Sequence, residues 1–133
     1  MATGTNSLGQ DQLTQTESLQ LKSGSSGYID LDSTTGTAAA GAVTVTKYAA
    51  QITSEALTQA QNATYTLTIT DTLISATDLV MCSLTNGTNT QGTPMIVRVT
   101  PAAGSLVILV KNMHDAAQAL NGTIIINFIS FKA

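Results

Sequence analysis

The chain has no tryptophan, one cysteine, one histidine and two prolines in 133 residues, and only 10% of its residues are charged. Each shortage closes a route. A lone Cys82 excludes an intrachain disulfide, and it fits assembly in a reducing cytosol. One histidine, His114, and one cysteine far apart cannot build a structural zinc site between them. With aromatics at 4%, the core must be aliphatic, filled by Leu, Ile, Val and Met. With so few charges, solubility rests on Thr, Ser, Asn and Gln. A β protein with threonine on its wet faces has this composition. No apolar run is long enough to span a bilayer as a helix, and no membrane partner is expected. The opening MATGTNSLGQ has neither the basic start nor the apolar run of a signal peptide.

The net charge of −3 is unevenly placed. Before Ala42, Asp11, Glu17, Asp30 and Asp32 face only Lys22. From Ala42 onward Lys47, Arg98, Lys111 and Lys132 balance Glu55, Asp71, Asp78 and Asp115. The body is neutral and has no basic patch, so direct nucleic-acid binding is not expected.

What the chain does have is β-branched sequence. Residues 93–131 read TPMIVRVT, PAAG, SLVILVK, NMHDAAQALNG and TIIINFISF, three strand-like runs with a tight join at residues 101–104. Residues 64–70 alternate most clearly, with Tyr65, Leu67 and Ile69 inward and four threonines outward. Residues 42–48 alternate too, Val43 and Val45 against Thr44 and Thr46. Further strands are expected at 51–57 and 78–85. Residues 71–77 suggest one helical turn with Leu73 and Ile74 tucked under the sandwich. Residues 112–121 suggest a short helix of Ala116, Ala117, Ala119 and Leu120 that plugs one open end. Seven or eight short strands in a one-domain length predict an all-β, antiparallel β-sandwich, jelly-roll-like or Ig-like, over residues 42–133.

Residues 1–41 are polar, and SGSSG and STTGTAAAG read as flexible linker. This segment is expected to be an extended N-terminal arm, or in its first twenty residues simply a disordered tail. Leu19, Leu21, Tyr28, Ile29 and Leu31 break its polar pattern and are candidate partner-binding residues. In the body, Val107 and Leu109, and likewise Ile125, Ile129 and Phe131, lie on the second face of strands that already have an apolar inner face. Ile96 is assigned to that second face as well, opposite Met95, Val97 and Val99. Two apolar faces suggest a subunit interface, with Val107, Leu109 and Ile125 as its markers; loops or the arm covering that face is the rival reading.

Motifs of chemistry are thin. His114-Asp115 lacks a nucleophile elbow such as G-x-S-x-G, so the histidine reads as a loop residue and no enzyme is expected. Asp30 and Asp32 lack the further ligands of a calcium loop. Asn62-Ala63-Thr64, Asn86-Gly87-Thr88 and Asn121-Gly122-Thr123 have the glycosylation spacing but read as turns entering strands. The Gly-rich GTNTQG lacks the Lys-Ser/Thr of a phosphate loop. Met81, Met95 and Met113 read as core filler or loop contacts. No cofactor and no metal is expected.

Three stretches carry a resemblance: ALTQAQNATYTLTIT (56–70), NGTNTQGTP (86–94) and TPAAGSLVILVKNMHDAAQALNGTIIINF (100–128). They resemble small virion accessory proteins of tailed bacteriophages, of the capsid decoration, cement or head-fibre type. The resemblance implies a structural virion protein that binds between capsid subunits, with the major capsid protein as partner and a homotrimer as its own assembly state. It implies location in the virion, assembled in the host cytoplasm, and no catalytic residues. The alternative is a fibre or adhesin module that binds host-surface glycans.

Overall fold

In the computed structural model of the chain the described residues are 31–133. They form eight strands: β1 Thr34–Thr37, β2 Ala42–Thr44, β3 Ala49–Thr53, β4 Thr64–Thr70, β5 Leu79–Asn86, β6 Pro94–Ala102, β7 Ser105–Asn112 and β8 Ile124–Phe131. These make two four-stranded sheets, ordered β1-β3-β8-β5 (sheet A) and β2-β4-β7-β6 (sheet B). Between the sheets lies one aliphatic core, with Ile52, Leu67, Ile69, Leu106, Ile108, Ile124, Ile126 and Phe128 fully buried. The architecture is that of a β-sandwich.

β4 shows why the sequence folds this way. Its register with β7 sets Tyr65 opposite Val110, Leu67 opposite Ile108 and Ile69 opposite Leu106, all inward. The threonines between them face out, because side chains alternate along a strand. β8 repeats the scheme in sheet A, with Ile124, Ile126 and Phe128 buried and Ile125, Ile129 and Phe131 on the other side.

The sheets are mixed rather than purely antiparallel, which corrects the expectation. β1 runs parallel to β3, and β2 parallel to β4. The cause is the path of the chain: from β1 to β6 each strand lies in the opposite sheet from the one before. Each crossing reverses the chain, so a strand that returns to its own sheet after two crossings points the same way again. Only β6 and β7 form a hairpin within a sheet, through Ala103-Gly104.

The stretch read as linker at residues 33–41 holds β1 and the turn into β2. Ala39 and Ala42 exchange both backbone hydrogen bonds at 3.0 Å. Ala40 and Gly41 between them have φ of 51° and 74°, the pattern of a type I′ turn. A side chain at Gly41 would meet the Thr66 carbonyl at 2.6 Å. Glu55 pins the turn: the Gly41 N–H donates to its Oε1 at 2.6 Å and the Tyr65 hydroxyl to its Oε2 at 2.7 Å. Burial, with that hydrogen bond and the Glu55 charge, pushes the Tyr65 hydroxyl above the usual tyrosine range. Leu19, Leu21, Tyr28 and Ile29, with the rest of residues 1–30, lie outside the described residues.

No helix occurs among the described residues, so both expected helices are corrected. Residues 71–78 are turns shaped by two carboxylates: Asp71 Oδ1 accepts from the Leu73 N–H, and Asp78 Oδ2 from the Ser75 N–H, each at 3.0 Å. Ile74 is buried as expected. Residues 113–123 are a loop, but its Leu120 does plug the core at 2% exposure. In β6 a bulge between Ile96 and Arg98 resets the alternation. Ile96 and Val99 therefore both pack on the core, while Met95 and Val97 face out.

Candidate functional site

The outer face of sheet A changes character along its length. At the end where β8 finishes and β5 begins it is apolar. The register places Leu79 beside Phe131, and sets Met81 and Ala49 on either side of Ile129. Leu79 and Met81 are 64% and 61% exposed, and Leu31, Tyr48 and Phe131 are exposed beside them. Leu31, Tyr48, Ala49, Ile129, Phe131 and Lys132 line a shallow groove of about 280 Å³ here. A contiguous apolar surface of this kind marks an interaction site more often than scattered exposed residues do.

A buried carboxylate helps to hold this end together. Asp78 is buried under it and accepts from the Ser130 hydroxyl at 3.1 Å, the Ser75 N–H at 3.0 Å and the Lys132 ammonium at 3.0 Å. Burial pushes the Asp78 carboxyl up, but those hydrogen bonds and the Lys132 charge outweigh it and hold the group below the usual carboxylate range. Lys132 also donates to the Leu73 carbonyl. Its ammonium stands 5.4 Å from the centre of the Tyr48 ring, within cation–π range.

Midway along the same face a polar rung crosses three strands. Gln51 Nε2 donates to Asn127 Oδ1 at 3.1 Å, and Asn127 Nδ2 donates to Ser83 Oγ at 3.2 Å. Beyond it Ile125 lies half-buried between Thr53 and Thr85. The outer face of sheet B is more even. Val107 sits between Thr68 and Thr100, and Leu109 between Thr66 and Arg98.

The far end of the sandwich is closed by amide side chains. Asn112 is fully buried. Its Oδ1 accepts from the Thr93 and His114 N–H groups at 2.9 and 3.2 Å, and its Nδ2 donates to the Gln59 and Gln118 carbonyls at 3.0 and 2.7 Å. Two Asn-Gly-Thr triplets lie against each other. The Thr88 N–H donates to Thr123 Oγ1 at 3.0 Å, and the Thr123 N–H to Thr88 Oγ1 at 2.9 Å. Asn121 Oδ1 accepts from the Thr90 and Gln91 N–H groups, and Asn89 Oδ1 from the Asn121 N–H. Gly122 permits the approach: a side chain there would meet the Thr88 backbone at 2.7 Å.

The structure does not bring the expected partner-binding residues together. Val107 and Leu109 lie on the outer face of sheet B, Ile125 on that of sheet A, and Leu31 at the apolar end of sheet A. A ring built on all of them would need each copy to offer opposite faces to its two neighbours. Leu79 and Met81, the most exposed large apolar side chains among the described residues, were missed. They sit in the unbroken run LVMC, where periodicity cannot say which side faces out. Met81 and Met95 are thus not core filler, and Met113 is exposed in its loop.

His114 folds onto its own loop: the Ala116 N–H donates to its Nδ1 at 3.0 Å, and the fully exposed Asp115 lies 3.5 Å away. Cys82 points inward, packed against the core, and burial pushes its thiol up to about 11. Asp32 pairs with Lys47 at 2.6 Å. Among the described residues no three His, Cys, Asp or Glu side chains cluster as metal ligands, and no helix is long and apolar enough to cross a membrane. No protein family, curated protein or solved structure matches the chain.

Proposed function

We propose that the chain is a structural virion protein of the bacteriophage decoration type, which reinforces a capsid by binding between subunits of the major capsid protein. The observation that carries a binding role is the apolar end of sheet A, where Leu31, Tyr48, Leu79, Met81 and Phe131 are exposed together. The phage assignment rests on the sequence resemblance of residues 56–70, 86–94 and 100–128. On this reading the sandwich is jelly-roll-like over β3 to β8, where neighbouring strands run antiparallel. The protein works by shape and contact and is not an enzyme.

The test is retention of the full chain on purified, undecorated shells. Phe131→Asp places a charge where an apolar contact is required. Because Phe131 is 45% exposed in the free chain, the variant should lose only about 1 kcal/mol of stability while its affinity for shells falls at least about tenfold. Equal retention of both proteins would remove this surface from the contact. Binding of wild type to host-surface glycans and not to shells would favour the fibre or adhesin reading.

A further inference from the structure

Two sandwiched sheets have four edges, and an unprotected edge is a template for another strand. Three of the four carry a device that blunts them. β1 and β2 are only four and three residues long. β6 carries Pro94, Pro101, Arg98 and a bulge, all features that disfavour edge pairing. β5 has none of these. It runs eight residues, LVMCSLTN, without proline or charge. It pairs with β8 in unbroken register along its whole length. Its other edge pairs with no strand among the described residues.

The backbone phase of that edge follows from one hydrogen bond. The Gly87 N–H donates to the Thr123 carbonyl at 2.9 Å, in register with the β5–β8 ladder. Hydrogen-bonded pairs alternate along an antiparallel ladder. Leu79, Met81, Ser83 and Thr85 therefore turn their N–H and C=O groups to β8. Val80, Cys82, Leu84 and Asn86 turn theirs to the open edge.

We propose that this edge pairs with β5 of a second copy of the chain, antiparallel, about a two-fold axis at Cys82. That axis makes Cys82 a hydrogen-bonded pair with its counterpart and sets Val80 of one copy opposite Leu84 of the other. Outer residues meet outer residues: Leu79 faces Thr85, and Met81 faces Ser83. A strand with no charge meets its own copy without like-charge repulsion. Sheet A becomes one continuous eight-stranded sheet, and the contact is isologous and closes on itself. The inference needs no shell, and it departs from the homotrimer that the resemblance implies.

Light scattering and amide exchange on the full chain, from micromolar to millimolar concentration, test it. A concentration-dependent pair should form, and the N–H groups of Val80, Cys82 and Leu84 should gain about tenfold or more in protection as it does. Met81→Lys sets a cation at the exposed flank of the edge, a natural device against pairing. It should weaken association at least about tenfold without altering the melt of the dilute protein. Thr85→Lys, equally outside the core, should do the same. A monomer throughout, a trimer, or a pair that survives both lysines with those amides unprotected would overturn the proposal.

Discussion

At the end of the sandwich where β5 and β7 finish, polar side chains bind one another; at the end where β8 finishes and β5 begins, apolar side chains face solvent. The first end consists of loops that would otherwise expose many backbone groups, and Asn112, Asn121, Asn89, Thr88 and Thr123 satisfy them from within. The second has ion pairs, Asp78 with Lys132 and Asp32 with Lys47, and leaves Leu79 and Phe131 uncovered. The loops look like the variable, functional part of a small β protein. Here they are the fastened part, and the exposed apolar surface lies on a sheet.

The sharpest way to break the comparison is to unfasten the closed end. Asn112→Ala would strand the Gln59 and Gln118 carbonyls and the Thr93 and His114 N–H groups in a buried place. A loss of about 3 kcal/mol is expected by chemical denaturation. Surface binding at the other end should persist in the folded fraction. A loss under about 1 kcal/mol would mean that water replaces the amide there.

Acid should act on the opposite end. The Asp78 carboxyl is held below its unfolded value of about 3.9, so it adds stability above that pH. This contribution is lost as pH falls through the lower, folded value. Melting temperature should therefore drop below about pH 4, with amides near Ser130 losing protection before those of residues 113–123. In Lys132→Met part of the depression disappears, and the acid dependence should be shallower. An equally steep profile would show that the hydrogen bonds from Ser75 and Ser130 alone set it.

The smallest effect is reserved for His114. The polar contacts of its Nδ1 lie within its own loop and its side chain is 24% exposed, so His114→Ala should cost no more than about 1 kcal/mol and leave particle binding unchanged. A larger change in binding would move the contact surface to the loop end.

Much of the fold was legible where one face is wet. β4 was placed residue for residue, because threonine and apolar residues alternate without exception. β1 was missed because Thr34–Thr37 reads TTGT: it is small and polar, and its place comes from pairing with β3. The faces of Met95 and Ile96 were inverted because a bulge leaves no mark in a run of apolar residues. The helix expected after β7 fails because Asn112 captures the Gln118 carbonyl and ties the loop to the sandwich. Of the site, sequence alone found that strands β7 and β8 have two apolar faces. It could not show that Val107 and Ile125 look in opposite directions, since that depends on which sheet each strand joins.

The groove lined by Leu31 and Lys132 brings both ends of the described body to one side. Foreign sequence joined after residue 133 would leave beside Tyr48 and Phe131, where it competes with whatever docks there. Sequence grafted between Ala116 and Ala117, in the exposed part of the loop after β7, would instead project from the fastened end, clear of the apolar surface and of the bonded residues 88–91. For carrying a cargo on this scaffold, the loop is the permissive address and the terminus the obstructive one.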